Sequence, residues 1–282
     1  MEMIKVTFPD GSVHEFEKGV KILDVAISIS EGFARNVIGA VVNDDIIKGL
    51  SETLKEDCTV KFVKFEDKEG KEIFWHTSSH VMALAIQRLF PDTKFGIGPA
   101  IENGFYYDLD SEHKFTPEDL EKIEAEMKKI VKEGYSVDRK EVDRDFALKY
   151  FAEKGQDYKI DLIEGFDKDA ELSFYELGEF TDLCRGPHLV DVKKIKAVKL
   201  LSIAGAYWRG SEKNKMLQRI YGITFEKKKD LDEYLEFLED AKQRDHRKIG
   251  KELGIFMISQ NVGAGLPFWL PKGATIRRVV ER

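Results

Sequence analysis

Residues Phe74–Pro91 read FWHTSSHVMALAIQRLFP. Met82, Ile86, Leu89 and Phe90 recur at helical spacing, which predicts an amphipathic helix after HTSSH that Pro91 stops. His76 and His80 stand four residues apart at its head, in a chain with only six histidines. On a helix, that spacing puts both rings on one face. A single His-x-x-x-His pair arises often by chance, so its meaning depends on a partner. The partner is FTDLCRGPHLVD at 180–191, where Cys184 and His188 are again four apart and are expected on one helical face in the same way. Four such groups, brought together, could hold zinc tetrahedrally. They could also bind a polar substrate and organise a water.

The rest of the chain tells what kind of molecule would carry this set. With 282 residues, 42% hydrophobic and 34% charged, it is long enough for two or three globular domains. A net charge of -7 gives no general affinity for nucleic acid, so any RNA contact needs local basic patches. There is no run of apolar residues long enough to predict a membrane span, and the opening MEMIKVTF does not read as a leader. Cys58 and Cys184 are too few for a disulfide framework and suit a reducing cytoplasm.

Upstream, MIKVTFPDGSVHEFEKG at 3–19 reads as two strands around a Pro-Asp-Gly turn. KILDVAISIS at 21–30 places Ile22, Val25, Ala26 and Ile29 on one helical face. VIGAVVND at 37–44 and CTVKFVKF at 58–65 add strands, so the first sixty-odd residues predict a ubiquitin-like β-grasp module. EDKEGKE at 66–72 reads as a charged connector.

Downstream, KFGIGPAIENGFYYDLD at 94–110 predicts a strand, a turn and a second strand. TPEDLEKIEAEMKKIVKEG at 116–134 has Thr116 and Asp119 spaced as a capping box, Pro117 in the first turn, Gly134 as a stop and a buried face of Leu120, Ile123, Met127 and Ile130. DRDFALKYFAEKG predicts a short helix and YKIDLI a strand. AVKLLSIAGAYW and MLQRIYGITF predict two more strands, which makes this an α+β unit. DLDEYLEFLEDAKQRDHRKIGKELG at 230–254 is helical, with Leu231, Tyr234, Leu235, Leu238 and Ala241 on one side. The closing ATIRRVVER reads as a helix cut short.

HTSSHVMALA, IGPAIENGFYYD, FTDLCRGPHL, AGAYWRGSEKNKMLQRIYG and RDHRKIGKELGIF together resemble the amino-terminal half of bacterial-type threonyl-tRNA synthetases. The resemblance implies an α+β multidomain chain. Residues 1–63 would form a TGS (β-grasp) domain, 64–227 a tRNA-editing second additional domain, and 228–282 a linker helix with the truncated beginning of a class II catalytic domain. It further implies hydrolysis of the ester of mischarged seryl-tRNA(Thr), while the parent enzyme would ligate threonine to tRNA(Thr) with ATP. A threonine pocket must admit serine, since one methyl is worth only roughly 1–3 kcal/mol of discrimination, and a second, hydrolytic site supplies the rest.

Carried over motif by motif, the resemblance assigns catalytic roles to His76 and Lys159 and substrate-binding roles to His80, Tyr107, Asp182, Cys184 and His188. Tyr107 is preferred to Tyr106 as the aromatic of the pocket. Without the resemblance, Tyr107 reads equally as core, Lys159 as a solvated strand residue and Asp182 as a helix cap. The site is expected to need no metal; zinc, if held, would take His76, His80, Cys184 and His188, as in the related alanyl-type editing domains. By the same resemblance, ATP, magnesium and a further zinc would be needed only by the parent's catalytic domain, most of which is expected to lie beyond residue 282. The expected partner is the aminoacylated 3′ end of tRNA(Thr), with no DNA and no membrane. The parent is expected to be a homodimer; the sequence leaves open whether this chain is a monomer, and both are expected to be cytoplasmic.

Two features remain. Lys193, Lys194, Lys196, Arg209, Lys213, Lys215 and Arg219 could form a phosphate-tracking face. NVGAGLPF at 261–268 holds a Gly-x-Gly too short to signal nucleotide binding. The second reading of the chain is a non-catalytic RNA-binding module, which would have little use for a pocket of three histidines and a cysteine.

Overall fold

The computed structural model describes residues 2–259, 263 and 265–282. Asn261, Val262 and Ala264, from the Gly-x-Gly stretch, lie outside the described residues. The described chain forms two compact units, Met1–Lys228 and Lys229–Arg282.

The first unit opens with β1 (Met3–Thr7), β2 (Val13–Glu17), β3 (Val20–Lys21), α1 (Ile22–Ile29), α2 (Glu31–Asn36), β4 (Gly39–Val42), β5 (Ile46–Gly49), β6 (Thr53–Leu54) and β7 (Cys58–Val63). The sheet order is β2-β1-β7-β4-β5, with β1 and β7 parallel and a small β3–β6 ladder beside it. This is the β-grasp arrangement. Its core gathers the alternate residues of the strands, Ile4, Val6 and Val60 among them, under Ile22, Val25 and Ala26 of α1. Ile29 leaves that face and is exposed, because α1 ends there and Ser30 turns the chain to cap α2.

The helix predicted after HTSSH is longer than expected. α3 runs Lys68–Leu89 with Asp67 at its N-cap, so most of the 66–72 connector is helical and HTSSH sits inside the helix. Nor is α3 a one-faced helix. From Ile73 to Ile86 every residue except His76 is buried, while Leu89 is exposed. The polar run inside it survives burial because each hydroxyl has a partner. Thr77 donates to the Ile73 carbonyl at 2.9 Å, Ser78 to that of Phe74 at 2.9 Å and Ser79 to that of Gly98 at 2.5 Å.

α3 is covered by two antiparallel sheets. One is β14-β15-β10-β8, built from β8 (Lys94–Phe95), β10 (Gly104–Asp110), β14 (Ala197–Tyr207) and β15 (Met216–Phe225), with β9 (Ala100–Ile101) pairing β10. α4 (Pro117–Glu133) packs beside α3 and on β14. Its capping box is present, with the Thr116 N–H donating to Asp119 at 3.1 Å, and Gly134 closes it in the left-handed conformation.

The other sheet is β11-β12-β13, from β11 (Asp138–Val142), β12 (Leu172–Leu177) and β13 (Phe180–Leu183). Against it pack α5 (Arg144–Glu153) and α6 (Asp157–Glu164) around Ala147, Phe151, Ile163, Leu172 and Phe174. The predicted YKIDLI strand is therefore a helix. Its alternation of apolar and polar residues is too short to separate the two periods, and the tertiary surroundings decide. The second unit contains α8 (His246–Glu252), the hairpin of β16 (Phe256–Ile258) and β17 (Pro267–Trp269), and α9 (Pro271–Val280). α7 (Lys228–Gln243) precedes α8, and Asp245 caps α8, so the predicted single helix is two. No described helix is long and apolar enough to cross a membrane.

Candidate active site

The four groups of the two spaced pairs converge. One ligand atom from each of His76, His80, Cys184 and His188 falls within 4.8 Å of the others. The first pair meets by helical spacing on α3. The second does so by a different device from the helix its spacing suggests: Cys184 leaves β13 and His188 follows a turn with a cis Gly186–Pro187 peptide. Gly186 has φ +73°, and a β-carbon there would lie 2.0 Å from the Tyr175 hydroxyl, so only glycine fits the turn. Cys184 is fixed by its N–H to the Ser173 carbonyl (3.1 Å) and by its own carbonyl, which accepts from the Ser173 hydroxyl (2.6 Å).

Behind the cluster lies a buried polar network. Asp182, on β13, is 2% exposed and forms an ion pair with Lys159 Nζ at 2.5 Å. It also faces His80 Nε2 at 3.2 Å and accepts from the Tyr107 hydroxyl. Lys159, equally buried on α6, donates to the Gly96 carbonyl at 2.6 Å and to Tyr107 Oη at 3.1 Å. With the Asp182 ion pair, the buried ammonium has three oxygen neighbours. Tyr107 lies on β10 among Phe105 and Leu109, the residues that alternate onto the inner face. Tyr106 points the other way, under the Arg219 guanidinium 3.7 Å from its ring centre. Lys159 is thus neither a strand residue nor solvated, and Asp182 caps no helix.

The electrostatics separate two layers. Burial alone would push Asp182 up, but Lys159, His80 and the Tyr107 hydroxyl outweigh it and leave the carboxyl below its usual range. Burial pulls His76 down to about 4 and His80 to about 3 against the pull of Asp182, and takes His188 well below its ordinary value. All three imidazoles are therefore neutral near pH 7. Burial, aided by Asp182, pushes the Cys184 thiol up to about 12, which makes it a poor nucleophile.

Hydrogen bonding fixes which nitrogens carry protons. Thr77 gives its only hydroxyl proton to Ile73, so at 3.3 Å it must accept from His188 Nδ1, as it does from the Leu189 N–H at 2.9 Å. His188 Nε2 then presents a lone pair to Cys184 Sγ, 3.2 Å away. His80 gives its Nε2 proton to Asp182, which leaves Nδ1 bare, buried and without a partner. His76 faces Cys184 Sγ at 3.1 Å through Nε2. Three neutral imidazoles beside a thiol, with His80 and His188 each held by an oxygen on the far nitrogen, form a donor set that fits zinc. They equally fit a ligand rich in N–H and O–H groups.

Thr77 and Tyr175 escape the sequence reading. Thr77 lies within HTSSH itself, and its position one turn after Ile73 was the available signal. Tyr175, whose ring centre is 4.4 Å from that of His188, carries none. The predicted basic face is largely taken apart. Lys194 is bound to main-chain carbonyls of Arg35 and Val37, Arg209 pairs with Asp161, Lys215 with Asp110 and Arg219 with Asp108.

Comparison with known proteins places this architecture. Residues 4–64 match the TGS domain, and residues 172–221 match the threonyl and alanyl tRNA synthetase second additional domain. The chain is 64% identical over 280 residues to a threonine--tRNA ligase of Finegoldia magna, covering 99% of this chain and 44% of that protein. It is 59% identical over 275 residues to that of Clostridioides difficile (98% and 43%) and 54% identical over 281 residues to that of a Geobacillus species (100% and 44%). The chain thus spans under half the length of the curated relatives it matches.

Proposed function

From a chain that carries a TGS domain and the second additional domain of threonyl and alanyl tRNA synthetases, and that matches threonine--tRNA ligases of bacteria over nearly its whole length, we propose an editing hydrolase acting on seryl-tRNA(Thr). The observation that carries the reading is the convergence of His76, His80, Cys184 and His188 above the Lys159–Asp182–Tyr107 network.

In this reading the seryl ester at the tRNA 3′ end enters past His76 and Cys184, the two members of the cluster that keep some exposure. Neutral His76 takes a proton from the attacking water as the water oxygen bonds to the ester carbon. The tetrahedral oxyanion collapses, the bond to the ribose oxygen breaks, and that oxygen leaves with the proton from the imidazolium. Serine and free tRNA result. Lys159 holds Asp182 ionised and in place behind the cluster. Asp182, His80 and His188 offer acceptors for the ammonium and hydroxyl of the seryl group, and Cys184 packs against it. A threonyl methyl would have to displace one of these packed groups, which costs about 1–3 kcal/mol or more, and it would misalign the carbonyl.

Zinc held by His76, His80, Cys184 and His188 would supply Lewis-acid polarisation. The reaction as drawn does not require it. The aminoacylation of tRNA(Thr) with ATP, the dimeric state and the class II fold of the parent are part of the same proposal. The test is release of serine and threonine from tRNA(Thr) charged with each. Hydrolysis of the seryl ester at least tenfold faster is expected. Equal rates, or RNA binding without hydrolysis, would favour the binding-module reading.

A further inference from the structure

Gly49 closes β5 at the edge of the TGS sheet, and it touches the candidate site. A β-carbon on Gly49 would lie 2.8 Å from the His188 carbonyl oxygen, 3.5 Å from Pro187 Cβ and 3.6 Å from the His188 nitrogen. All three nearest atoms belong to the turn that presents His188, and none to the TGS domain itself. The next strand makes a second contact: a β-carbon on Gly39, on β4, would meet Ile73 Cδ1 at 2.4 Å. Ile73 is the residue whose carbonyl orients Thr77, and through it the His188 ring. Two further ties flank these. Val190 packs against the TGS core, and Lys194 donates to the carbonyls of Val37 (2.6 Å) and Arg35 (3.0 Å). Burial lowers Lys194 below the usual lysine range, as expected of an ammonium enclosed at a joint.

The TGS domain therefore bears on both arms of the cluster, on α3 through Ile73 and on the turn through Pro187–Val190. Two of its strand ends, Gly39 and Gly49, are glycine where they meet these arms. We propose that the TGS domain is a positioning element of the hydrolytic site, with Gly49 setting the place of the His188 backbone. The proposal rests on the editing reading and gives this domain a role other than contact with tRNA.

Gly49→Ala tests it directly, since the three atoms nearest its added methyl all belong to the turn. Gly32→Ala, in α2 with nothing nearer than 4.0 Å, is the control within the same domain. Lys194→Met loosens the joint without pressing on it. Each is made in the full chain, and kcat and KM for seryl-tRNA hydrolysis are measured with the imidazole 1H–15N resonances of His188. Gly49→Ala is expected to lower kcat by about tenfold, since small misplacements of a reacting group are expensive in rate. KM should stay within twofold and the His188 resonances should move. Lys194→Met should act in the same direction, and Gly32→Ala should match wild type. A rise in KM alone with His188 unmoved would overturn the proposal in favour of tRNA docking, and so would wild-type values throughout. If Gly49→Ala does not fold, Lys194→Met decides by the same readings. If the wild type shows no hydrolysis, the editing reading falls separately. The His188 resonances then decide the positioning role alone: a shift in Gly49→Ala upholds it, and none ends it.

Discussion

The Lys159–Asp182 pair allows a quantitative test of the network beneath the cluster. Both side chains are 3% exposed and their charged atoms are 2.5 Å apart. Lys159→Met keeps the stem and removes the charge. Asp182 is then left with the Tyr107 hydroxyl and His80 as its only partners in the network. Removing one member of a buried pair costs about 3–5 kcal/mol, mostly because the other charge stays buried and uncompensated. Asp182→Asn strands the ammonium with Gly96 and Tyr107 and should cost a similar amount. The double variant buries no lone charge. Its loss should fall short of the sum of the singles by at least about 2 kcal/mol, near the upper range for coupled neighbours. Urea unfolding in a Trp269→Phe background gives the measurement. Trp75 and Trp208, both buried, then report only the unit that holds the pair. Losses that add to within about 0.5 kcal/mol would refute a direct ion pair. On activity, Lys159→Met should slow serine release at least tenfold, or about 1.4 kcal/mol in the barrier. An undiminished rate would remove Lys159 from the site.

Three other outcomes are expected. Thr77→Val frees the His188 ring and leaves the buried Leu189 N–H unpaired; it should cost about 1–3 kcal/mol of stability and about tenfold in hydrolysis, and a rate equal to wild type would mean the His188 tautomer does not matter. Hydrolysis should survive strong chelators within about twofold; loss of activity that added zinc restores would show that the ion takes part. Stability of the first unit should fall as pH drops from about 6.5 toward 4, because the unfolded imidazoles take up protons while His76, His80 and His188 stay neutral. The slope is about 1.4 kcal/mol per pH unit for each such ring. His188→Gln should lower it by one proton's worth in urea titrations, and an unchanged slope would contradict its neutral burial.

Where the sequence is strongly periodic or punctuated, the fold is legible in it. The Thr116–Gly134 helix was readable to its caps, and so was the pair of long strands β14 and β15. The misreadings share a cause. α3 is enclosed on all sides, so its pattern resembles a stripe only where the eye starts after His80. YKIDLI is too short to distinguish periods, and Leu172 and Phe174, which enclose it, come later in the chain. At the site, the spacing of the two pairs announced the cluster, but not that a hairpin exit and a turn would serve for the second. Lys159 and Asp182 were nameable only through resemblance, since a buried ion pair between residues 23 positions apart has no local signature.

The enclosure of α3 bears on how the site moves. A helix that buries residues from Ile73 to Ile86 has no low-energy way to open alone, so its amides should exchange with solvent only through unfolding of the whole unit. His76 and His80 then stand on the slowest-exchanging segment of the protein, whereas Cys184 and His188 ride a turn outside any helix or strand. Breathing of the cleft should come from the turn side, with the α3 side as the fixed jaw against which it closes.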